Sequence, residues 1–151
     1  MVTSIAITPE EHRDRCDALL ECLRSEELSG VVLFDPYYVL YYAGFAFAPT
    51  ERPIAFVLAA DGTCALVVPR LEVEHAEGKA TCDRVEHYLE YPGQPRSEDA
   101  IKTTLAVLGL TGKIGTSRTA FCSATHARES PRPRLRNGRR TRRRSRCSTQ
   151  S

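Results

Sequence analysis

The charge of this chain changes sign at one point, and that point limits how much of it can build a core. Residues 1–115 carry ten Lys or Arg against eighteen Asp or Glu, a balance of −8, whereas residues 116–151 carry eleven Arg against the single acid Glu129, a balance of +10. The net charge of +2 for the whole chain conceals both halves. From Pro131 onward the sequence is nearly all Arg, Pro, Ser and Thr. Such a segment buries too little apolar surface to offset the entropy its chain loses on folding. The expectation is a disordered Arg-rich tail over 116–151 and one domain over 1–115, long enough for an independent core.

Within the first 115 residues the hydrophobic pattern alternates between helix and strand grammar. Thr8-Pro9-Glu10-Glu11 reads as a helix start, with Thr8 as cap, Pro9 at the first helical position and Glu11 completing a capping box. Cys16, Leu19, Leu20 and Leu23 recur at helical spacing, and Gly30 is the expected terminator. Residues 31–34 form a short apolar strand stopped by Asp35-Pro36, and Tyr37 to Ala43 a helical turn before Gly44. The clearest local signal follows. Two apolar runs, 54–60 and 63–68, flank Asp61-Gly62, a dipeptide suited to a two-residue hairpin with positive φ at both positions. Both runs are apolar on both faces, which predicts a strand pair inside a covered sheet. A short helix over 70–78, a strand over 84–91, a helix over 97–108 capped by Ser97, and a strand from Lys113 complete the pattern. The fold class is therefore α/β, a mixed sheet with flanking helices.

Several function classes are excluded at this level. The N-terminus has no basic stretch followed by a long apolar core, so it does not read as a secretory signal, and the expected location is cytoplasmic. No apolar run approaches membrane-spanning length. The six cysteines are scattered without a C-x-x-C pair and are read as free thiols. Cys82 with His75 and His87 does not follow common zinc-ligand spacing and lacks a fourth ligand, so no metal site is expected; His12, His75 and His87 are taken as solvent-facing.

Five pieces in order carry a resemblance: the charged opening helix, Gly30 to Pro36 (GVVLFDP), Val39 to Phe45 (VLYYAGF), Glu51-Arg52-Pro53 leading into the hairpin, and Val67 to Glu72 (VVPRLE). Together they resemble the N-terminal domain of the creatinase/prolidase/Xaa-Pro aminopeptidase family. The family pattern has Asn, Leu and Thr where this chain has Tyr38, Tyr42 and Ala43. The resemblance implies an accessory domain that serves oligomerisation and substrate gating. Catalysis in the family belongs to a second domain, whose peptidases bind two divalent metal ions through two Asp, one His and two Glu. After Gly115 this chain offers only His126 and Glu129, so no catalytic residue and no cofactor or metal is expected here.

The resemblance also directs attention to the loop after Gly44, which in related enzymes reaches the neighbouring subunit's active site. Phe45, Phe47 and Arg52 are the candidate substrate-binding residues, acting in trans. Tyr38, Tyr41 and Tyr42 are expected to pack the short helix onto the sheet, leaving Tyr37 and Phe47 at the surface. The implied partner is a second copy in a homodimer or a separate catalytic chain that completes an Xaa-Pro peptidase. The Arg-rich tail allows only non-specific nucleic-acid contact, since it lacks aromatic interleaving or a reading motif. Eighteen Arg against three Lys fits a GC-rich gene, and the abrupt change after Gly115 is what a frameshift or a premature gene end would leave.

Overall fold

The computed structural model describes residues 7–48, 52–92 and 95–117. The expectations for the Arg-rich tail, including disorder, frameshift and nucleic-acid contact, lie outside these residues, as do Cys122 and Cys147. Helix α1 spans Pro9–Ser25 and begins as its sequence dictates, with Thr8 Oγ1 accepting from the Glu11 N–H at 3.3 Å. Its end differs from expectation. The helix stops at Ser25, Glu27 takes the left-handed conformation at φ 53°, and the Leu28 N–H reaches back to the Leu23 carbonyl at 2.9 Å. Gly30 is thereby released from any capping role and instead opens strand β1, Gly30–Leu33. Its lack of a side chain is needed for a different reason. A Cβ there would sit 2.3 Å from Leu110 Cδ2 and 2.7 Å from the Leu58 carbonyl oxygen.

Strands β2 (Ala55–Ala59) and β3 (Cys64–Pro69) form the expected hairpin, and every residue in both is buried. The turn is one residue longer than the sequence implies. Ala60-Asp61-Gly62 is closed by the Ala59 N–H on the Thr63 carbonyl at 2.9 Å, and of the two central residues Gly62 alone has positive φ, 99°. Asp61 instead keeps ordinary backbone angles because its carboxylate accepts from the Thr63 N–H at 2.8 Å. After a 3-10 turn at Arg70–Glu72 come α3 (Val73–Lys79), β4 (Arg84–Tyr88), α4 (Ser97–Val107) and β5 (Ile114–Thr116). Arg96, not Ser97, precedes the first turn of α4, and its N–H is held by the Asp99 carboxylate at 3.2 Å.

The five strands lie in the order β4-β3-β2-β1-β5. β1, β2 and β3 are antiparallel neighbours, while β4 and β5 join the two flanks in parallel. Alternation along β2 sorts its side chains into two cores. Phe56 and Leu58 join Leu19, Leu23, Val39 and Leu66 under α1, α3 and the helix Pro36–Ala43, α2, whereas Ala55, Val57 and Ala59 join Val67, Tyr88 and Leu110 under α4. Burial accounts for the thiols: it pushes Cys64 up to about 12, and Cys16 and Cys82 up to about 11.

Two outcomes follow. Gly30→Ala forces Leu110 aside and meets a backbone oxygen that cannot yield, so it is expected to lower the urea unfolding free energy by about 1–3 kcal/mol. The desolvated thiols make stability fall with alkali. Below their ordinary value of 9.0 they are neutral in both states; above it Cys16 and Cys82 up to about 11, and Cys64 up to about 12, ionise only in the unfolded chain, so the unfolding midpoint drops through that window. Urea titrations at pH 8 and pH 11 measure the drop, and Cys64→Ala is expected to lessen it.

Candidate functional site

The chain leaves β1 through Phe34 and turns on Asp35, whose Oδ1 accepts from the Tyr37 N–H at 2.8 Å and so starts α2. At the other end of this helix the Tyr41 carbonyl is held from α1 by two donors, His12 Nδ1 at 2.9 Å and Arg15 Nη1 at 3.0 Å. The Arg15 guanidinium also lies over the Tyr41 ring, 4.2 Å from its centroid, and pairs with Glu11. His12 is thus buried, not solvent-facing, because its imidazole supplies part of the C-terminal cap of α2. Gly44 then bends the chain away at φ 69°, a position where a Cβ would also meet His12 Nε2 at 2.8 Å. His75 is exposed and pairs with Glu72 at 3.2 Å.

The loop beyond Gly44 separates the three candidate residues. Phe45 is fully buried, its ring 4.9 Å from that of His75, so it is a core residue and not a surface that a substrate can reach. Phe47 stacks on Phe45 with centroids 6.3 Å apart and is half-buried. Phe47 and Arg52 do come together: with Phe34, Val39, Pro53 and Ile54 they line a cleft of about 210 Å³. The apolar rim continues over Tyr37 and Leu40, which are 81% and 41% exposed. Of the tyrosines, Tyr42 is in the core, stacked on Phe56, and Tyr41 is half-exposed beneath Arg15 instead of packed on the sheet.

Arg52 forms an ion pair with Glu90 at 2.5 Å and keeps 46% of its side chain exposed. It stands between the cleft and a wider depression lined by Tyr88, Glu90, Tyr91 and Arg96. The Tyr88 hydroxyl donates to the Pro53 carbonyl at 2.9 Å, which ties β4 to the start of β2. Burial, aided by the Glu90 carboxylate, pushes that phenol up to about 12. Glu90 and Phe34 are the site residues that sequence reasoning missed. Phe34 was expected inside the strand over 31–34, but β1 ends at Leu33 and leaves it 45% exposed; Glu90 carried no signal, since its pairing crosses 38 positions.

Chemically the cleft has an aromatic and aliphatic wall and a guanidinium at its mouth, the features that bind an apolar group bearing a carboxylate. Among the described residues no group of three or more His, Cys, Asp or Glu is placed to hold a metal ion. No helix among them is long and apolar enough to cross a membrane.

The model of the Creatinase/Prolidase N-terminal domain family matches residues 15–130, extending beyond Gly115. No curated protein matches the chain. Among solved structures, a proline dipeptidase from Streptococcus pneumoniae TIGR4 is 29% identical, with a TM-score of 0.58 over 68% of this chain and 72% of that one. The N-terminal domain of Xaa-Pro dipeptidase from Lactobacillus brevis is 21% identical and shares the fold at a TM-score of 0.61, over 77% of this chain and 88% of its own. Dipeptidase PepE from Mycobacterium ulcerans, at 23% identity and a TM-score of 0.54, is matched over 68% of this chain but only 27% of that protein. A family match over most of the chain, joined to the fold it shares with these structures, means that the chain belongs to the creatinase/prolidase N-terminal domain family.

Proposed function

We propose that this domain works as an accessory substrate-gating unit, presenting the Phe47–Arg52 cleft to a catalytic domain carried by a partner, either a second subunit or a separate chain. The observation that carries this reading is the half-exposed Arg52 at the mouth of a cleft walled by Phe34, Phe47 and Pro53. A proline-bearing peptide has matching chemistry, an apolar ring next to a carboxylate. The names of the similar solved structures, a proline dipeptidase and an Xaa-Pro dipeptidase, direct the choice of that ligand class.

Arg52 can trade partners in such a role. Its bond to Glu90 is solvent-accessible, and an exposed ion pair contributes at most about 1 kcal/mol, so exchanging Glu90 for a ligand carboxylate costs little. Phe45 contributes indirectly, as the buried surface on which Phe47 stacks.

Two outcomes test this reading. The purified chain is expected not to cleave Xaa-Pro dipeptides with manganese, cobalt or zinc, and turnover that survives removal of contaminating peptidases would refute the accessory role. In an NMR titration with Gly-Pro, amide signals of Phe47 and Arg52 are expected to shift, and Arg52→Ala to weaken binding about tenfold, the loss of one charge-assisted hydrogen bond. Its unfolding free energy should stay within about 1 kcal/mol of the parent. An Arg52→Ala chain that binds Gly-Pro as before, or that unfolds, makes Arg52 part of the scaffold.

A further inference from the structure

Arg52 lines two hollows, and its ion pair with Glu90 stands where they meet. On one side is the apolar cleft, in which Arg52 is the single charged lining residue among those described. On the other is the wider depression, about 720 Å³, to which Glu90 belongs. Pro53 is common to both, and the bond of 2.9 Å from the Tyr88 hydroxyl to its carbonyl holds this partition against β4. Four charged side chains among the described residues border the depression, Arg52 and Arg96 against Glu90 and Glu98. They balance while Arg52 stays with Glu90. A ligand carboxylate that draws Arg52 away leaves Arg96 against two carboxylates and deprives Glu90 of the cation it was paired with. The Tyr91 ring, 70% exposed, lines the same depression, and aromatic rings attract cations.

We propose that Glu90 is the recognition residue for a ligand's amino terminus. When the carboxylate of a proline-bearing dipeptide takes Arg52, the dipeptide's ammonium group takes the place of Arg52 at Glu90. The cleft and the depression then hold the apolar ring and the amino end of one zwitterion. The inference rests on the substrate reading above and adds to it the residue that distinguishes a dipeptide with a free amino end from an analogue without the charge.

Both charge and length favour this exchange. The Glu90 side chain is 23% exposed, half the 46% of Arg52, and a carboxylate partly withdrawn from water is costly to leave without a cation. A ligand that carries only a carboxylate leaves it so, whereas a zwitterion replaces both halves of the pair. The tips of Arg52 and Glu90 are in direct contact, so a molecule that parts them bridges a short gap. Two extended residues span at most about 7 Å, and each further residue moves the charged ends about 3.5 Å apart. A dipeptide therefore suits the parted pair better than a longer peptide.

NMR titration of the 151-residue chain, followed at the amides of Phe47 and Arg52, tests the exchange with two ligands of equal size. These are glycyl-proline and glycolyl-proline, in which a hydroxyl replaces the ammonium group. The parent chain is expected to bind glycyl-proline about fivefold tighter, the scale of one exposed ion pair. In Glu90→Gln that preference is expected to vanish, while glycolyl-proline binds tighter than it does to the parent, because Glu90 no longer competes for Arg52. Equal binding of the two ligands by the parent overturns the proposal. A preference that persists in Glu90→Gln places the ammonium group elsewhere and overturns it too. If Glu90→Gln fails to fold, Glu90→Asp, which sets the charge back by one methylene, is expected to lower the preference, and an unchanged preference counts against Glu90. If neither ligand shifts the two signals, the substrate reading itself falls and takes this inference with it, whereas equal binding removes the inference alone.

Discussion

Everything in this domain depends on a three-strand centre that is buried on both faces. All residues of β1, β2 and β3 are shielded from water, so their backbone groups have no partner except each other and their side chains need cover above and below. The two covers are unequal. Three helices lie on the Phe56 and Leu58 face, where the side chains are large, and one helix lies on the Ala55, Val57 and Ala59 face, where they are mostly small. Close approach of the Leu108–Leu110 turn on that thinner side is what forbids a side chain at Gly30.

The candidate cleft hangs from this centre by a chain of local contacts. Asp35 starts α2, two donors from α1 close its last turn, and Gly44 bends the chain back so that Phe45 enters the core. Phe47 is then positioned by stacking on a residue that cannot move. Arg52 is paired from beyond β4 by Glu90. The cleft is therefore lined by side chains that follow β1 and precede β2, while the partner of Arg52 comes from beyond β4.

The parts legible in the sequence were those with short-range causes. The Thr8-Pro9 helix start, the doubly apolar runs around Asp61-Gly62 and the strands expected at 31–34 and 84–91 each have a local physical signature, and all appear in the fold, the two strands ending earlier, at Leu33 and Tyr88. The misreadings involve contacts remote in sequence. Gly30 looked like a helix terminator because its clash with Leu110 lies 80 positions away, and His12 looked solvent-facing because its partner carbonyl is on another helix. In an extended loop Phe45 and Phe47 point alike, and only the tertiary packing separates a buried ring from a lining one. The hairpin loop was misjudged by one residue, since the Asp61 carboxylate on the Thr63 N–H competes with the two-residue turn.

The parallel pairing of β5 with β1 has a bearing on the order in which the molecule forms. Strands β1, β2 and β3 follow one another as antiparallel neighbours, but the second flank of β1 is completed by residues 114–116, and the Ser29 N–H bonds to the Lys113 carbonyl 84 positions on. Closing so long a loop comes late, after the local hairpin and its helices have reduced the entropy of the intervening chain. During synthesis on a ribosome the Val31 and Val32 edge must therefore wait for the last described strand to emerge, the interval in which an open apolar strand is most exposed to mispairing.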